Sequence, residues 1–254
     1  MTSGLPKGEG AARPAGPGIG TGDEGLGAIR LLEGLDAESL AELAGRVRWV
    51  IAAPGEVLLT RDSDSRDVFF LVAGRVRIVN YSTSGREVAY ANIAKGEYFG
   101  EISAIDGRPR SATAEALERS RLAALDPASF RELLLKRPEI ALKVMAKLAA
   151  IVRTCDDKIM DLATLSAYQR VYTELLRLTQ PDPVRAGSWY IYPLPTQAQI
   201  ASLASTTRET VARVLGQLTQ TGIVERKGRT LYVREKAKLE LLAERAGTAP
   251  PGHA

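Results

Sequence analysis

YFGEISAIDGRPRSATAEAL, Tyr98 to Leu117, places Glu101 and Arg110 at the two ends of one short loop that also contains Gly107 and Pro109. Gly100-Glu101 precedes an apolar turn, and Arg110-Ser111-Ala112 opens a strand. The loop therefore brings a carboxylate acceptor, a guanidinium with bidentate donors and backbone N–H groups into one small volume. That combination suits a small, polar, anionic ligand.

The surroundings set the fold class. From Arg46 to Asp126 the chain alternates short apolar runs with turn punctuation: DVFFLVAG, RVRIVNYS, REVAYANI and SRLAALD, broken at Pro54-Gly55, Gly74, Ser84-Gly85 and Lys95-Gly96. Several short strands at this spacing predict a β-sandwich or jelly roll. Before it, LLEGLDAESLAELAGRV predicts a short amphipathic helix with Asp36 as N-cap and Leu40 and Leu43 inward. After it, Asp126-Pro127 is an N-cap followed by proline at the first helical position, opening a helix to about Lys136. Residues 1–27 are Gly- and Pro-rich with almost no large apolar side chains, and are expected to be a disordered tail.

Pro138 begins a helical run with no internal Gly or Pro as far as Leu178. Ala141, Val144, Leu148, Ile151, Cys155, Leu162 and Leu165 fall at a and d of a heptad, with Lys158 a polar exception. A narrow seam on a long helix predicts pairing with a second copy, so a parallel homodimer is expected. Packing of the seam on the chain's own sandwich is the alternative.

Beyond QPDPVRAGS a small α/β unit follows. TQAQIASLA reads as a helix with Ile200 and Leu203 inward. The next helix is expected to open with a Thr206-x-x-Glu209 capping box and to bury Val211, Val214 and Leu215. Gly222 ends it, and IVERKGRTLYV forms a basic hairpin turning at Lys227-Gly228-Arg229. Helix, tight turn, helix and basic hairpin make a winged helix-turn-helix. Its second helix would present Thr206, Thr207, Arg208, Glu209 and Arg213 to a major groove. Arg208 and Arg213 suit guanine O6 and N7, and Glu209 suits cytosine N4. Thr206, Lys227 and Arg229 suit phosphates.

Composition limits the alternatives. The formal net charge is +4, and the segment from Gly187 to Lys236 alone holds seven basic against three acidic residues, which suggests a polyanionic partner. No apolar run reaches the ~18 residues of a membrane span, and no export signal is evident, so a cytoplasmic protein is expected. With one cysteine, Cys155, and one histidine, His253, the chain can assemble no iron–sulfur cluster, zinc site or Cys/His catalytic pair. Cys155 is expected to be a small buried hydrophobe. Nothing in the chain supports an enzyme.

The order FGEI…RPRSA, long helix, TTRETVARVL resembles the Crp/Fnr transcription regulators from about Leu31 to Val233. The resemblance implies an α+β architecture: a β jelly-roll cyclic-nucleotide-binding domain over 28–137, a dimerisation helix over 138–180, a winged helix-turn-helix over 181–236 and a tail over 237–254. It implies that Arg110 pairs with a cyclic phosphate, that Ser111 donates to a phosphate oxygen and that Glu101 accepts from the ribose 2′-hydroxyl. Gly100, Ile102 and Ser103 would bring backbone N–H groups to the ligand.

The purine would face Thr154, Cys155 and Asp156, where the family carries adjacent hydroxyl residues. A carboxylate at Asp156 or Asp157 accepts from guanine N1–H and its exocyclic amine together, whereas adenine offers one donor there. Both cAMP and cGMP therefore stay open as effectors, with no metal, haem or iron–sulfur cluster. The implied partners are a pseudo-palindromic double-stranded DNA with GTGA-like half-sites, a second copy of the chain and RNA polymerase, with no membrane. A ligand-independent DNA-binding regulator with a vestigial pocket is the alternative.

Overall fold

The computed structural model describes residues 25–82, 87–185 and 187–244. The turn expected at Ser84-Gly85, the single histidine and residues 1–24 of the expected tail lie outside the described residues. The chain divides into two compact units, Met1–Ala149 and Ala150–Ala254, and each has its own core.

In the first unit, two 3-10 turns, Leu26–Ala28 and Arg30–Leu32, precede α1 (Ala37–Arg46). The strands are β1 (Arg48–Ala52), β2 (Val57–Leu59), β3 (Val68–Ala73), β4 (Arg75–Tyr81), β5 (Glu87–Ala94) and β6 (Tyr98–Phe99). Then come α2 (Glu101–Asp106), β7 (Thr113–Ala116), β8 (Ser120–Leu125), α3 (Pro127–Lys136) and α4 (Pro138–Thr164), which continues into the second unit. The strands form two antiparallel sheets, β1-β8-β3-β6 and β2-β7-β4-β5.

Strand β3, VFFLVA, is apolar on both faces because both are covered. Phe69 and Leu71 enter the core between the sheets, where Phe69 stacks on Phe99 with ring centroids 5.3 Å apart. Val68, Phe70 and Val72 enter a second core under α1, α3 and the start of α4. Phe70 is fully buried, so truncating it to alanine would cost about 3–5 kcal/mol. Asp36 caps α1 by accepting from the Ser39 N–H at 2.7 Å, and Asp126 caps α3 from Ala128 and Ser129 at 3.0 Å each.

Three expectations are corrected here. Leu26, assigned to the tail, is completely buried beside Ile29 and Leu32, so the sandwich domain starts before residue 28. The long helix is not continuous to Leu178: α4 ends at Thr164, and α5 (Ala167–Leu178) restarts after Leu165-Ser166. Ser166 and Gln169 form a capping box, a helix start that needs neither Gly nor Pro. The heptad seam holds only in part. Val144 is buried and packs with Leu148 in the chain's own core, whereas Leu162 stays exposed, as does Cys155, which was expected to be buried. A second series of exposed apolar positions lies one residue along: Leu142, Met145, Val152 and Ile159 are each more than half exposed. With exposed Ala149, Asp156 and Ala163 they complete a 3-4-3-4 repeat.

The second unit contains the last turns of α4, α5, β9 (Gln180–Pro181), β10 (Trp189–Ile191), α6 (Gln197–Leu203), α7 (Arg208–Gln220), β11 (Val224–Lys227), β12 (Thr230–Val233) and α8 (Lys236–Glu244). One antiparallel sheet runs β11-β12-β10-β9. Val171, Leu175, Ile200, Val211, Val214, Leu218, Leu231 and Leu239 share its core. So α5, expected within the dimerisation helix, packs with the helix-turn-helix, and residues 236–244, mostly assigned to a tail, form a helix anchored by fully buried Leu239.

Candidate functional site

The Tyr98–Leu117 stretch folds as strand β6, a left-handed glycine, helix α2, a loop and strand β7. Gly100 has φ of +90°, and a Cβ there would meet the Asp67 carbonyl at 2.7 Å and Arg110 Nη1 at 2.9 Å. That close approach lets the chain turn from β6 into α2 while the Arg110 side chain passes beneath. Arg110 is 2% exposed. Its Nε donates to Ser65 Oγ at 3.1 Å, Nη1 to the Gly100 carbonyl at 3.0 Å and Nη2 to the Asp67 carbonyl at 2.7 Å. A guanidinium carries five N–H donors, so two remain for an anion. Burial pushes this guanidinium down to about 10, against the opposing pull of Asp67 and Glu101, and it stays charged at neutral pH.

Its backbone is fixed as firmly. The Arg110 N–H donates to the Ser63 carbonyl at 3.1 Å, and the Arg110 carbonyl accepts from the Asp62 N–H at 2.9 Å. The loop before β3 thus clamps the main chain and side chain of Arg110 together. Sequence reasoning missed Ser65 and Asp67 because this loop, TRDSDSRD, is polar throughout and contributes mostly backbone oxygens.

Glu101, the first residue of α2, is 4% exposed and pairs with Lys147 of α4 at 3.1 Å rather than with Arg110. Ile102 and Ser103 follow in the first turn of α2, where backbone N–H groups have no partner within a helix. Ser103 is buried, and its hydroxyl donates to the Pro109 carbonyl at 3.4 Å. Ser111 is exposed, and its carbonyl accepts from Asn80 Nδ2 at 3.0 Å. Glu101, Gly100, Ile102, Ser103, Arg110 and Ser111 therefore gather around one loop. Thr154, Cys155 and Asp156 are exposed on the part of α4 within the second unit. Among the described residues, no group of His, Cys, Asp and Glu could hold a metal ion.

In the second unit, Thr196 and Gln199 form a capping box at the start of α6. The turn to α7 passes through Ser205, whose φ of +49° is rare for a residue with a side chain. Because that turn takes one residue more than expected, the cap of α7 is Thr207, which accepts from the Thr210 N–H at 3.2 Å; Thr206 is buried, with its N–H on the Ala201 carbonyl at 2.9 Å. The Thr206–Glu209 capping box is thereby corrected. Arg208, Glu209 and Arg213 are all exposed on the first two turns of α7, opposite buried Val211 and Val214. Its own backbone N–H, then the Thr207 hydroxyl and the nearby Arg208 and Arg213, hold the Glu209 carboxyl below its ordinary range, so it is an acceptor at neutral pH. The wing, β11 and β12, turns at Gly228, with φ of +57°. Lys227 and Arg229 are exposed there, and Lys227 pairs with Glu225 at 2.9 Å.

Arg170 of α5 was not singled out by the sequence. Its Nη1 donates to the Leu165 carbonyl at 2.8 Å, Nε to the Ala204 carbonyl at 3.0 Å and Nη2 to the Ser205 carbonyl at 3.3 Å. One guanidinium thus ties the α4–α5 break to the turn between α6 and α7. Charged-group hydrogen bonds of this kind contribute about 1.5–3 kcal/mol each.

These two constellations can be compared with known proteins. A cyclic nucleotide-binding domain matches residues 49–137, and a Crp-like helix-turn-helix domain matches residues 169–249. The cyclic AMP receptor protein of Thermus thermophilus is 35% identical over 176 residues, 69% of this chain and 79% of that protein. This chain belongs to the Crp/Fnr family. The CRP-like cAMP-activated global transcriptional regulator of Mycobacterium tuberculosis is 26% identical over 218 residues, 85% of this chain and 97% of that protein. The structure of FixK2 from Bradyrhizobium japonicum superposes with a TM-score of 0.63 at 26% identity, covering 79% of this chain and 99% of the other. As a Crp/Fnr protein, the chain is a DNA-binding transcription regulator that carries a cyclic-nucleotide-binding domain, in a family of regulators rather than enzymes. The Crp-like match takes in α5 and α8, whose burial in the second core accounts for both.

Proposed function

We propose that this Crp/Fnr protein is a homodimer switched by a cyclic purine nucleotide, and that the effector is cAMP. The observation that carries the reading is Arg110: a charged guanidinium, 2% exposed, held by three protein oxygens with two donors to spare. A buried cation without a carboxylate partner is costly unless something anionic meets it. The left-handed Gly100 and the first turn of α2 supply a close backbone approach for a phosphate. Arg110 and Ser111 would hold the cyclic phosphate, Glu101 the ribose hydroxyl, and Thr154, Cys155 and Asp156 the base. The names of the relatives from Thermus thermophilus and Mycobacterium tuberculosis both specify cAMP, which supports the adenine nucleotide. The exposed Asp156 carboxylate favours cGMP as the second reading.

The exposed 3-4-3-4 stripe on α4, from Leu142 to Ala163, supports pairing with a second copy. Two copies would present two recognition helices to half-sites one helical turn apart, with Arg208, Glu209 and Arg213 reading a GTGA-like sequence and RNA polymerase as the downstream partner. Calorimetric titration with cAMP and cGMP side by side tests the switch. Wild type should bind one of them, and Arg110→Ala should lose roughly 30-fold or more in affinity, the effect of removing one partner of a buried charge contact. Operator binding in a gel shift that ignores both nucleotides would instead favour a ligand-independent regulator.

A further inference from the structure

Lys147 has no assigned role, yet its ammonium is among the most firmly placed on α4. It pairs with Glu101 Oε1 at 3.1 Å, donates to the Tyr98 carbonyl at 2.5 Å and lies 3.7 Å from the centroid of the Tyr98 ring. Those groups form the shoulder of the nucleotide loop: the end of β6 and the first residue of α2. Beside them, the Tyr98 hydroxyl is buried without a hydrogen-bond partner. Ile140 and Val144 anchor the same turns of α4 in the apolar core, so Lys147 is the polar end of an otherwise greasy contact.

Charge is informative here. Asp67 is matched by Arg48 at 3.0 Å. Around the loop's buried carboxylate, Arg110 and Lys147 then set two cations against Glu101, a local balance suited to a phosphodiester anion. Without Lys147 the buried Glu101 carboxylate would lose its ion-pair partner beside the place an incoming anion occupies.

We infer that Lys147 is a positioning residue that couples nucleotide binding at Glu101 to α4, an inference resting on the cyclic-nucleotide reading above. Before binding, Lys147 has the Glu101 carboxylate as its ion-pair partner. A ribose hydroxyl donating to that carboxylate shares it with the ammonium, and the hold on α4 changes at a fixed point near the start of the exposed stripe. The nucleotide thereby distinguishes two placements of α4 through a specific contact, which any ligand-driven shift requires.

The experiment uses the full chain as wild type, Lys147→Met, Lys147→Arg and Arg110→Ala. Calorimetry with cAMP and cGMP gives nucleotide affinity. Fluorescence anisotropy on a duplex with two GTGA half-sites, with and without saturating nucleotide, gives the coupling ratio. Lys147→Met should weaken nucleotide binding about tenfold, the order expected for one charge-assisted contact, and bring the coupling ratio close to one; Lys147→Arg should restore much of both. In a Glu101→Gln background, Lys147→Met should have little further effect, because the two act through one contact.

A Lys147→Met protein with a wild-type coupling ratio at saturating nucleotide overturns the inference and leaves the nucleotide reading intact. Should Lys147→Met not fold, a Glu101→Gln protein that keeps the full coupling ratio overturns it equally. A wild type that binds neither nucleotide and behaves as Arg110→Ala overturns the underlying reading, and the inference with it.

Discussion

Arg110 shows how a single side chain can be held charged inside a protein. Its three bonds go to two main-chain carbonyls and one hydroxyl, so no carboxylate is hydrogen-bonded to it, and Asp67 and Glu101 act on it only through space. The sign of its perturbation follows: burial disfavours the cation, and its value falls to about 10 from the ordinary 12.5. Nucleotide affinity is therefore expected to be steady through neutral pH and to fall as pH rises through about 10, a trend that titrations across that range would check. The same geometry makes Gly100 irreplaceable. Gly100→Ala would force a side chain into the left-handed region and against the Asp67 carbonyl, costing about 1–2 kcal/mol in backbone strain alone. Calorimetry should show nucleotide affinity falling far more than the melting temperature. At this scale placement was legible where residues act through their own side chains: Glu101 and Arg110 were expected at one loop and Arg208 on the first turn of the second helix, and they lie there. Ser65, Asp67 and Lys147 were not legible, because two lie in an undifferentiated polar loop and the third sits among ordinary helix surface lysines.

Among the elements, strands and the aspartate caps were read most reliably. VFFLVA announced a strand by its β-branched and aromatic content, and Asp126-Pro127 marked the start of α3 to the residue. The errors arose where local chemistry offers two answers. Ser166 and Gln169 interrupt a run that propensity alone would continue, and Thr207 rather than Thr206 caps α7 because the preceding turn adopts a left-handed serine. The heptad on α4 holds only in part for a related reason: two apolar series run along that helix, and the sandwich takes the start of the first at Val144 and Leu148. For the recognition helix, Arg208→Ala and Arg213→Ala should each cost about 1–3 kcal/mol of operator affinity and relax preference at one base pair. Lys227→Ala on the wing should weaken binding to all sequences alike and lower the salt slope by about one. Competition binding against permuted half-sites at several salt concentrations separates the two behaviours.

For the whole molecule, the exposed stripe on α4 makes the assembly state testable. Val152→Asp with Ile159→Asp places two charges in the apolar repeat, and sedimentation should find a monomer where wild type is a dimer. Because each copy would offer only one half-site reader, operator affinity should fall by orders of magnitude while nucleotide binding through Arg110 is retained in part. The division into two units was legible as a jelly roll followed by a winged helix-turn-helix. The ends of each were not, since Leu26 and Leu239 lie next to Gly-rich or charged stretches and their burial depends on partners distant in sequence.

The clasp made by Arg170 carries a practical lesson for anyone recombining such regulators. A graft joined after Pro181 would import a reading head stripped of the guanidinium that secures its turn, leaving the Ala204 and Ser205 carbonyls without that donor. A splice placed at Leu165 keeps α5, its arginine and the turn together as one transplantable module.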